Sequence, residues 1–340
     1  MQRRRRRSVD IVVPLYNEAD VFAATYRGLR KIIDLLPWQF TIYCVDDGSS
    51  DKTPELLRLL SKTDPRLKVI ELSRNFGHQA ALTAGLMATT ASVVVTMDGD
   101  GQHPAELIPE MLTLLDQGYD IVQGQRVHNA ESGSFKSWSS GGFYRFLNLI
   151  SGTRVQPGAA DFRGMSRQAV DALNSMPEYH RFLRGMIAWM GYRSVVLPYS
   201  EPRRTAGRSK YSLGKMVRLA MDAVFSFSLA PLYLGLSLGG LLLCLAGLEM
   251  IYVLSFWVSG RTSGLAPGWS SLMFVILVVA AMLMLLLGFV GVYVGYIFQE
   301  VKRRPIFLSQ TSSMGSRVSE SSGTRRQSRL RKRRVNSLGK

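Results

Sequence analysis

Cysteine and histidine are scarce: Cys44, Cys244 and four histidines in 340 residues. Cys44 falls in a strand-like run and Cys244 in an apolar one, so neither a disulfide framework nor a cysteine zinc site can be drawn. That suits a reducing compartment. Acidic residues are also few, 25 against 42 Lys and Arg, for a net charge of +17. The deficit sits at the ends. Arg3 to Arg7, and residues 302–340 with twelve Lys or Arg against Glu320 alone, hold nearly all of it. Beyond Phe307 the C-terminal stretch has no aromatic residue, which removes the stacking platforms of nucleic-acid binding. Residues 1–8 and 301–340 therefore read as basic, disordered tails, or as patches that adhere to anionic lipid. No apolar leader with a small-residue cleavage site follows Arg7, so the first domain is expected to stay in the cytoplasm.

Charge is missing altogether from Ala223 to Leu248 and from Thr262 to Gln299. Each run exceeds the roughly 20 apolar residues that cross a hydrocarbon core. We expect a helical hairpin within residues 229–300, with spans near 232–258 and 272–298. Arg203, Arg204, Arg208, Lys210, Lys215 and Arg218 precede the first span, and Lys302, Arg303 and Arg304 follow the second. The positive-inside bias then puts the first domain and both termini on the cytoplasmic side of a multi-pass membrane protein. Gly235/Gly239 and Gly291/Gly295 have small-xxx-small spacing, which fits packing within the hairpin or contact between copies in a homo-oligomer. Glu249 inside the first span is costly in lipid and invites a functional reading, unless it lies near the far interface. Before the spans, residues 201–228 read as a juxtamembrane loop and an interfacial amphipathic helix, with Leu213, Met216, Val217, Ala220, Val224 and Phe227 on its apolar face.

Ahead of these segments, residues 9–200 alternate strand-like and helix-like stretches. Val9 to Pro14, Phe40 to Val45, Leu67 to Leu72, Ser92 to Met97 and Asp120 to Gln123 are short apolar runs. Helices fit between them near Ala19 to Leu36, Thr53 to Lys62, His78 to Thr90 and Ala105 to Gln117. The pattern predicts an α/β domain with a mostly parallel sheet and helices on both faces. Ligands of such sheets bind where strands end. The polar clusters lie there: Pro14 to Glu18, Asp46 to Asp51, Ser73 to His78 and Asp98 to Gln102.

Some of these residues have plain structural readings. Glu18 could favour a helix N-terminus, and Ser50 or Asp51 could be a helix cap. Asp98 and Asp100 differ in kind. Two carboxylates two residues apart on a turn can share one divalent cation, Mg2+ or Mn2+, with Gln102 adding a carbonyl oxygen and substrate phosphates completing the shell.

The ordered set VVPLYNE, VDDGSSD, LSRNFGHQAAL, MDGDGQHP, ADFRGMSR and EPRRTAGRSKY, followed by two spans and EVKRRPIFL, resembles the family 2 polyprenyl-phosphate glycosyltransferases over residues 8 to 308. Relatives include dolichyl-phosphate mannose synthase and bacterial enzymes that load glucose or aminoarabinose onto undecaprenyl phosphate. The resemblance implies a GT-A fold and an inverting, metal-dependent transfer from a nucleotide sugar to a polyprenyl phosphate, at the bacterial inner membrane. UDP is expected over GDP, and glucose by family frequency. It places Pro14, Tyr16, Glu18, Asp46 and Asp47 at the nucleotide, Asp98, Asp100 and Gln102 at the metal and diphosphate, and Arg126 near the phosphates. Arg163, Arg203 and Lys210 are candidates for the lipid phosphate, and Arg203 and Lys210 also for the nucleotide sugar. Asp161 matches a residue proposed as catalytic base in relatives, and it could equally orient Arg163. Residues 201 to 213 are expected to order when nucleotide binds. Two other readings are a processive polysaccharide synthase, whose Gln-x-x-Arg-Trp motif is missing, and a membrane scaffold with a decayed sugar site, which the intact Asp98, Asp100, Gln102, Arg163 and Lys210 oppose.

Overall fold

The structure, a computed structural model, describes residues 8–127, 159–200 and 268–310, with scattered positions between 235 and 260. Among these, residues 8–127, 159–200 and 305–310 belong to one compact unit, and residues 235–304 to a second.

Seven strands of the first unit form a single sheet in the order β3-β2-β1-β4-β6-β5-β7. They are β1 (Ser8–Leu15), β2 (Gln39–Asp46), β3 (Leu67–Glu71), β4 (Val93–Thr96), β5 (Ile121–Val127), β6 (Ala159–Ser166) and β7 (Ser194–Ser200). β1, β2, β3 and β4 run parallel to one another, as do β5 and β7. β6 runs antiparallel between β4 and β5. Val9 to Leu15 are buried without a break, the signature of a central strand covered on both faces.

The connecting helices are α1 (Ala19–Ile33), α2 (Thr53–Thr63), α3 (His78–Ala88), α4 (Ile108–Asp116, preceded by a 3-10 turn at Ala105–Leu107), α5 (Arg167–Ser175) and α6 (Leu183–Trp189). α1 buries Phe22, Tyr26, Leu29 and Ile33, a stripe of one helical face, in the core cluster that also holds Ile11, Val13 and Met111. Cutting Phe22 to Ala would cost about 3 to 5 kcal/mol through lost burial and the cavity left behind. On the other face Gly85 of α3 lies against Val12 and Val45, and Ala80 to Leu86 are all buried. Cys44 sits in the core on the α1 face, where burial pushes its thiol up.

β6 was not expected as a strand, and it decides the layout of the crevice. Running antiparallel, it starts where its parallel neighbours end. Thr96 pairs with Arg163, and the Thr96 hydroxyl donates to the Asp161 carbonyl at 2.7 Å. Phe162 and Gly164 face α4, Gly164 against Met111 and Leu115, which leaves Asp161 and Arg163 on the opposite, α3 face.

The edge strand β3 is covered by Leu308 to Gln310. The Ser73 N–H donates to the Leu308 carbonyl and the Gln310 N–H to the Glu71 carbonyl, both at 2.8 Å, with Leu72 and Ser309 in an antiparallel bridge. Part of the segment expected as tail thus closes an open sheet edge.

In the second unit, α7 (Trp269–Lys302) has 34 residues, about 51 Å at 1.5 Å per residue. Among the described residues it is the one helix long and apolar enough to cross a membrane. Met284, Leu285 and Leu287 are each more than 60% exposed. The described positions from Gly235 to Val258, within the first expected span, have helical backbone. A Cβ on Gly235 would fall 2.1 Å from Leu286 Cδ2, so this stretch lies close against α7. The amphipathic helix and the loop with Arg203 and Lys210 lie outside the described residues.

Candidate active site

Two turns at the carboxyl ends of β1 and β2 are laced together. Asn17, held at φ 54, accepts from the backbone N–H groups of Ser50 (2.8 Å) and Asp51 (3.3 Å) through Oδ1, while its own N–H donates to Ser49 Oγ at 3.0 Å. Asp51 accepts from the N–H groups of Ala19 and Thr53, which begin α1 and α2. Its carboxylate satisfies orphan donors at both helix N-termini. Pro14 is buried beside this lacing, and Tyr16 is 40% exposed. Asp46 is buried and accepts from the Ser49 N–H at 3.1 Å; burial pushes its carboxyl up against that bond.

Asp47 has another position. Its two oxygens accept from the N–H groups of Phe76 (2.7 Å) and Gly77 (2.9 Å), and its side chain is buried. Burial pushes its carboxyl up, opposed by these two bonds. Asp47 holds the loop after β3 that delivers His78.

The turn after β4 carries Asp98 and Asp100. Gly99 is closely approached: a Cβ there would fall 2.2 Å from Leu15 Cδ2 and 2.8 Å from Glu18 Oε2, so these side chains would have to move. The close approach puts Glu18 against the Asp98–Asp100 turn. Asp100 Oδ1 accepts from the N–H of buried Gln102 at 3.0 Å, which closes the turn. His103 lies beneath. Its Nδ1 accepts from the Asp98 N–H at 2.8 Å, and its ring stacks on Phe162 at 5.0 Å. Burial, supported by the charge of Arg126, pushes His103 below the ordinary imidazole value despite Asp98 and Asp100, so the neutral ring is a fixed prop.

Asp161 is the hub of the crevice. Arg163 donates to its Oδ1 at 2.8 Å, and Arg184, at the start of α6, reaches Oδ1 with Nε at 3.2 Å and Oδ2 with Nη2 at 2.9 Å. His78 Nε2 stands 3.4 Å from Asp161 Oδ2 and 3.5 Å from Asp98 Oδ1. One imidazole nitrogen therefore spans the two carboxylates. Burial alone would raise Asp161, but the charges of Arg184 and Arg163 and the His78 hydrogen bond hold it well below the usual carboxylate range. Burial lowers Arg163 too, opposed by Asp161. The two directions pull against each other across one pair. A guanidinium keeps its proton in proteins, so the pair is ionic. Burial also opposes charge on His78, yet the Asp161 hydrogen bond and the charges of Asp98 and Asp161 win and raise it to about 9. Its side chain remains 44% exposed, which weakens the opposing desolvation.

A cation is implied by the two aspartates, and their environment fits one. Asp98 Oδ1 is buried and receives no hydrogen bond among the described residues. Among them no three His, Cys, Asp or Glu side chains form a metal cluster. Two carboxylates leave the other positions to phosphate oxygens and water, a pattern common for Mg2+.

The model of glycosyl transferase family 2 matches residues 10–173. An uncharacterized glycosyltransferase of Bacillus subtilis, YkcC, is 36% identical over 302 residues, covering 89% of this chain and 93% of its own. The chain belongs to glycosyl transferase family 2. A prophage-derived bactoprenol glucosyl transferase of Shigella flexneri is 31% identical over 312 residues, covering 91% of this chain and 99% of its own. Among solved structures, glucosyl-3-phosphoglycerate synthase from Mycobacterium tuberculosis with Mn2+, UDP-glucose and phosphoglyceric acid is 18% identical, covers 64% of this chain and 78% of its own, and superposes with a TM-score of 0.46. The sheet, with its one antiparallel insertion, is the GT-A-like α/β domain of this family 2 glycosyltransferase.

The structure brings Glu18, Asp98, Asp100, Gln102, Arg126, Asp161 and Arg163 to one end of the sheet of this transferase, with Pro14, Tyr16 and Asp46 on the neighbouring turns. Arg203 and Lys210 lie outside the described residues. His78, His103 and Arg184 are additions. His78 and His103 stood inside quoted motifs, but each could be read as the start of a helix or part of a turn. Arg184 is 23 residues from Asp161, with no spacing rule to join them.

Proposed function

We propose that this family 2 transferase moves glucose from UDP-glucose to undecaprenyl phosphate at the cytoplasmic face of a bacterial inner membrane, with inversion at the anomeric carbon. The observation that carries the reading is the buried Asp161–Arg163 pair set within reach of the same imidazole as Asp98. A cationic group held beside the turn for the donor's diphosphate suits an acceptor that is itself an anion. The Shigella relative, named for bactoprenol and glucose, supports the choice of both substrates.

Pro14, Tyr16, Glu18 and Asp46 would line the nucleotide. Asp98 and Asp100, with Gln102, would hold a divalent cation, Mg2+ or Mn2+, which supplies charge neutralisation to the leaving diphosphate. Arg126 would add positive charge on the same side. The acceptor phosphate, with a second pKa of about 6, is already largely ionised near neutral pH and needs positioning more than deprotonation. Arg163 offers that, with Arg203 and Lys210 as further phosphate ligands. Asp161 orients: a carboxylate whose oxygens are held by two guanidinium groups, and whose proton affinity is depressed, is a poor base.

α7 supports the membrane placement. A run of exposed Leu, Met and Val side chains this long is stable against lipid and a liability in water. The close contact of Gly235 with Leu286 supports a hairpin of two spans. The test is transfer of radiolabel from UDP-glucose, with Mg2+ or Mn2+, into solvent-extractable lipid on adding undecaprenyl phosphate. Labelled lipid that inverting-product NMR shows to be a β-glucosyl phosphate is expected; labelled polymer, or none, overturns the reading.

A further inference from the structure

We propose that Arg184 is a phosphate-binding side chain which, with Arg163, cradles the acceptor's phosphate monoester, leaving Asp161 for that ligand when it arrives. The inference rests on the proposed phosphate acceptor and assigns a residue to its recognition.

Asp161 is over-supplied with cations. Arg163 and Arg184 both donate to Oδ1, so two guanidinium groups crowd a single carboxylate oxygen. They are not equivalent. The Arg163 side chain is 3% exposed and is also tied to the Ala160 carbonyl at 3.1 Å, whereas that of Arg184 is 26% exposed. Arg163 is the buried member and Arg184 the one that water reaches. The buried member is incomplete: its Nε is buried and finds no acceptor among the described residues. A buried donor without an acceptor costs about 1 to 3 kcal/mol, which a phosphoryl oxygen would relieve.

The mount of Arg184 fits this role. It is the second residue of α6, where Leu183, Gly185, Met186 and Ile187 are buried and fix the backbone. The Leu183 N–H donates to Gln79 Oε1 at 3.1 Å, which ties the helix start to the residue after His78. A rigid backbone with a half-open guanidinium beside a buried, unsatisfied one is a fork for a tetrahedral dianion. A donor diphosphate offers the same phosphoryl chemistry, so the experiment must separate the two sources.

Full-length protein in nanodiscs would be titrated by calorimetry with a short-chain prenyl phosphate in the presence of UDP, and separately with UDP and Mg2+. The variants are Arg184→Ala, Arg184→Gln and Arg184→Lys, with Arg58→Ala as a surface-charge control. Loss of one charge-assisted contact should weaken prenyl phosphate binding at least about tenfold in the Ala and Gln variants. Lys should recover part of it, and UDP affinity should stay within about twofold. Wild-type affinity for prenyl phosphate in the Gln variant overturns the proposal, as does an equal loss for UDP. Melting temperature identifies a variant that fails to fold, and the Lys variant then decides by the same ratio. Arg184-dependent binding without glucose transfer would sink the proposed activity and leave this inference standing. Transfer with an unchanged KM for lipid in Arg184→Gln would do the reverse.

Discussion

Two ionic clusters of the same domain, at opposite ends of the sheet, differ in how completely they are satisfied. Where the parallel strands begin, Asp64 accepts from the Tyr26 hydroxyl at 2.7 Å, from Arg66 and from Arg30, and Asp34 holds Arg66 at 2.8 Å and Arg30 at 3.4 Å. Two arginines meet two aspartates. Where the strands end, Arg163, Arg184 and a His78 raised to about 9 face Asp161 and Asp98, with a buried donor on Arg163 and a buried acceptor on Asp98 left over. The first cluster is finished as it stands. The second has hydrogen-bonding capacity left over on a cation and on a carboxylate, which a folded protein tolerates where a ligand will complete the set.

The sharpest way to test that contrast is Asp98→Ala. It removes one of the two carboxylates that face His78 and leaves the Asp98 N–H bond to His103 in place, so the melting temperature should change far less than transfer does. Transfer should fall about a thousandfold, the scale of several kcal/mol of lost charge stabilisation at the leaving group. Chelation by EDTA should reproduce the loss, and restored Mg2+ or Mn2+ should reverse it only in the unmutated protein.

Asp161→Asn should act on both stability and turnover. It strips the charge from a side chain that holds two guanidinium groups, one fully buried, and breaking such a pair costs about 3 to 5 kcal/mol. Chemical denaturation would measure this. Residual transfer at saturating donor and lipid should have the same pH profile as the unmutated protein, because Asp161 orients cations. An acidic limb that disappears on mutation would restore Asp161 to the role of base.

Asp64→Asn should do the opposite of both, leaving transfer intact and altering only stability. Burial alone would raise Asp64, but hydrogen bonds from Arg66 and Tyr26 and the charge of Arg66 lower it to about 2. A depressed carboxyl contributes its stability above the ordinary value near 3.8 and loses it as pH falls through about 2. The shift corresponds to about 2 kcal/mol at most, since Arg30 and Arg66 are each about a third exposed and water screens them. Denaturation between pH 4 and 2 should therefore be steep in the unmutated protein and shallower in the variant.

Much of the second cluster could be read in the sequence, and the missing part has a physical cause. β1 to β5 announce themselves as short runs rich in apolar residues between polar turns, and Asp98 and Asp100 because they end such a run. β6 hides, since Asp161 and Arg163 break its apolar character on one face. The two charges lie two residues apart, the strand period, and that spacing between apolar Ala160 and Phe162 was the available signal. Arg184 gave none: its neighbours Leu183, Met186 and Ile187 read as any helix face. His78 begins α3 after a glycine, where a polar residue is ordinary. Its reach to both Asp98 and Asp161 comes from the antiparallel insertion of β6, a tertiary fact.

The smallest effect belongs to a third kind of ionic contact, on the rim of the sheet. Arg58 of α2 grips Glu71 of β3 with two hydrogen bonds of 2.9 Å, a geometry as regular as any in the crevice. Its side chain is nevertheless 61% exposed. Water competes for both partners, and holding a long side chain in one rotamer costs entropy, so regular geometry does not translate into stability. Arg58→Ala should leave the melting temperature and the transfer rate unchanged within error. Glu71 also accepts the Gln310 N–H through its backbone carbonyl, a contact that the substitution leaves in place. A measurable loss of stability would mean that the Arg58 side chain holds the β3 edge for Leu308 to Gln310, and that the bridge there depends on side chains as well as on its two backbone bonds.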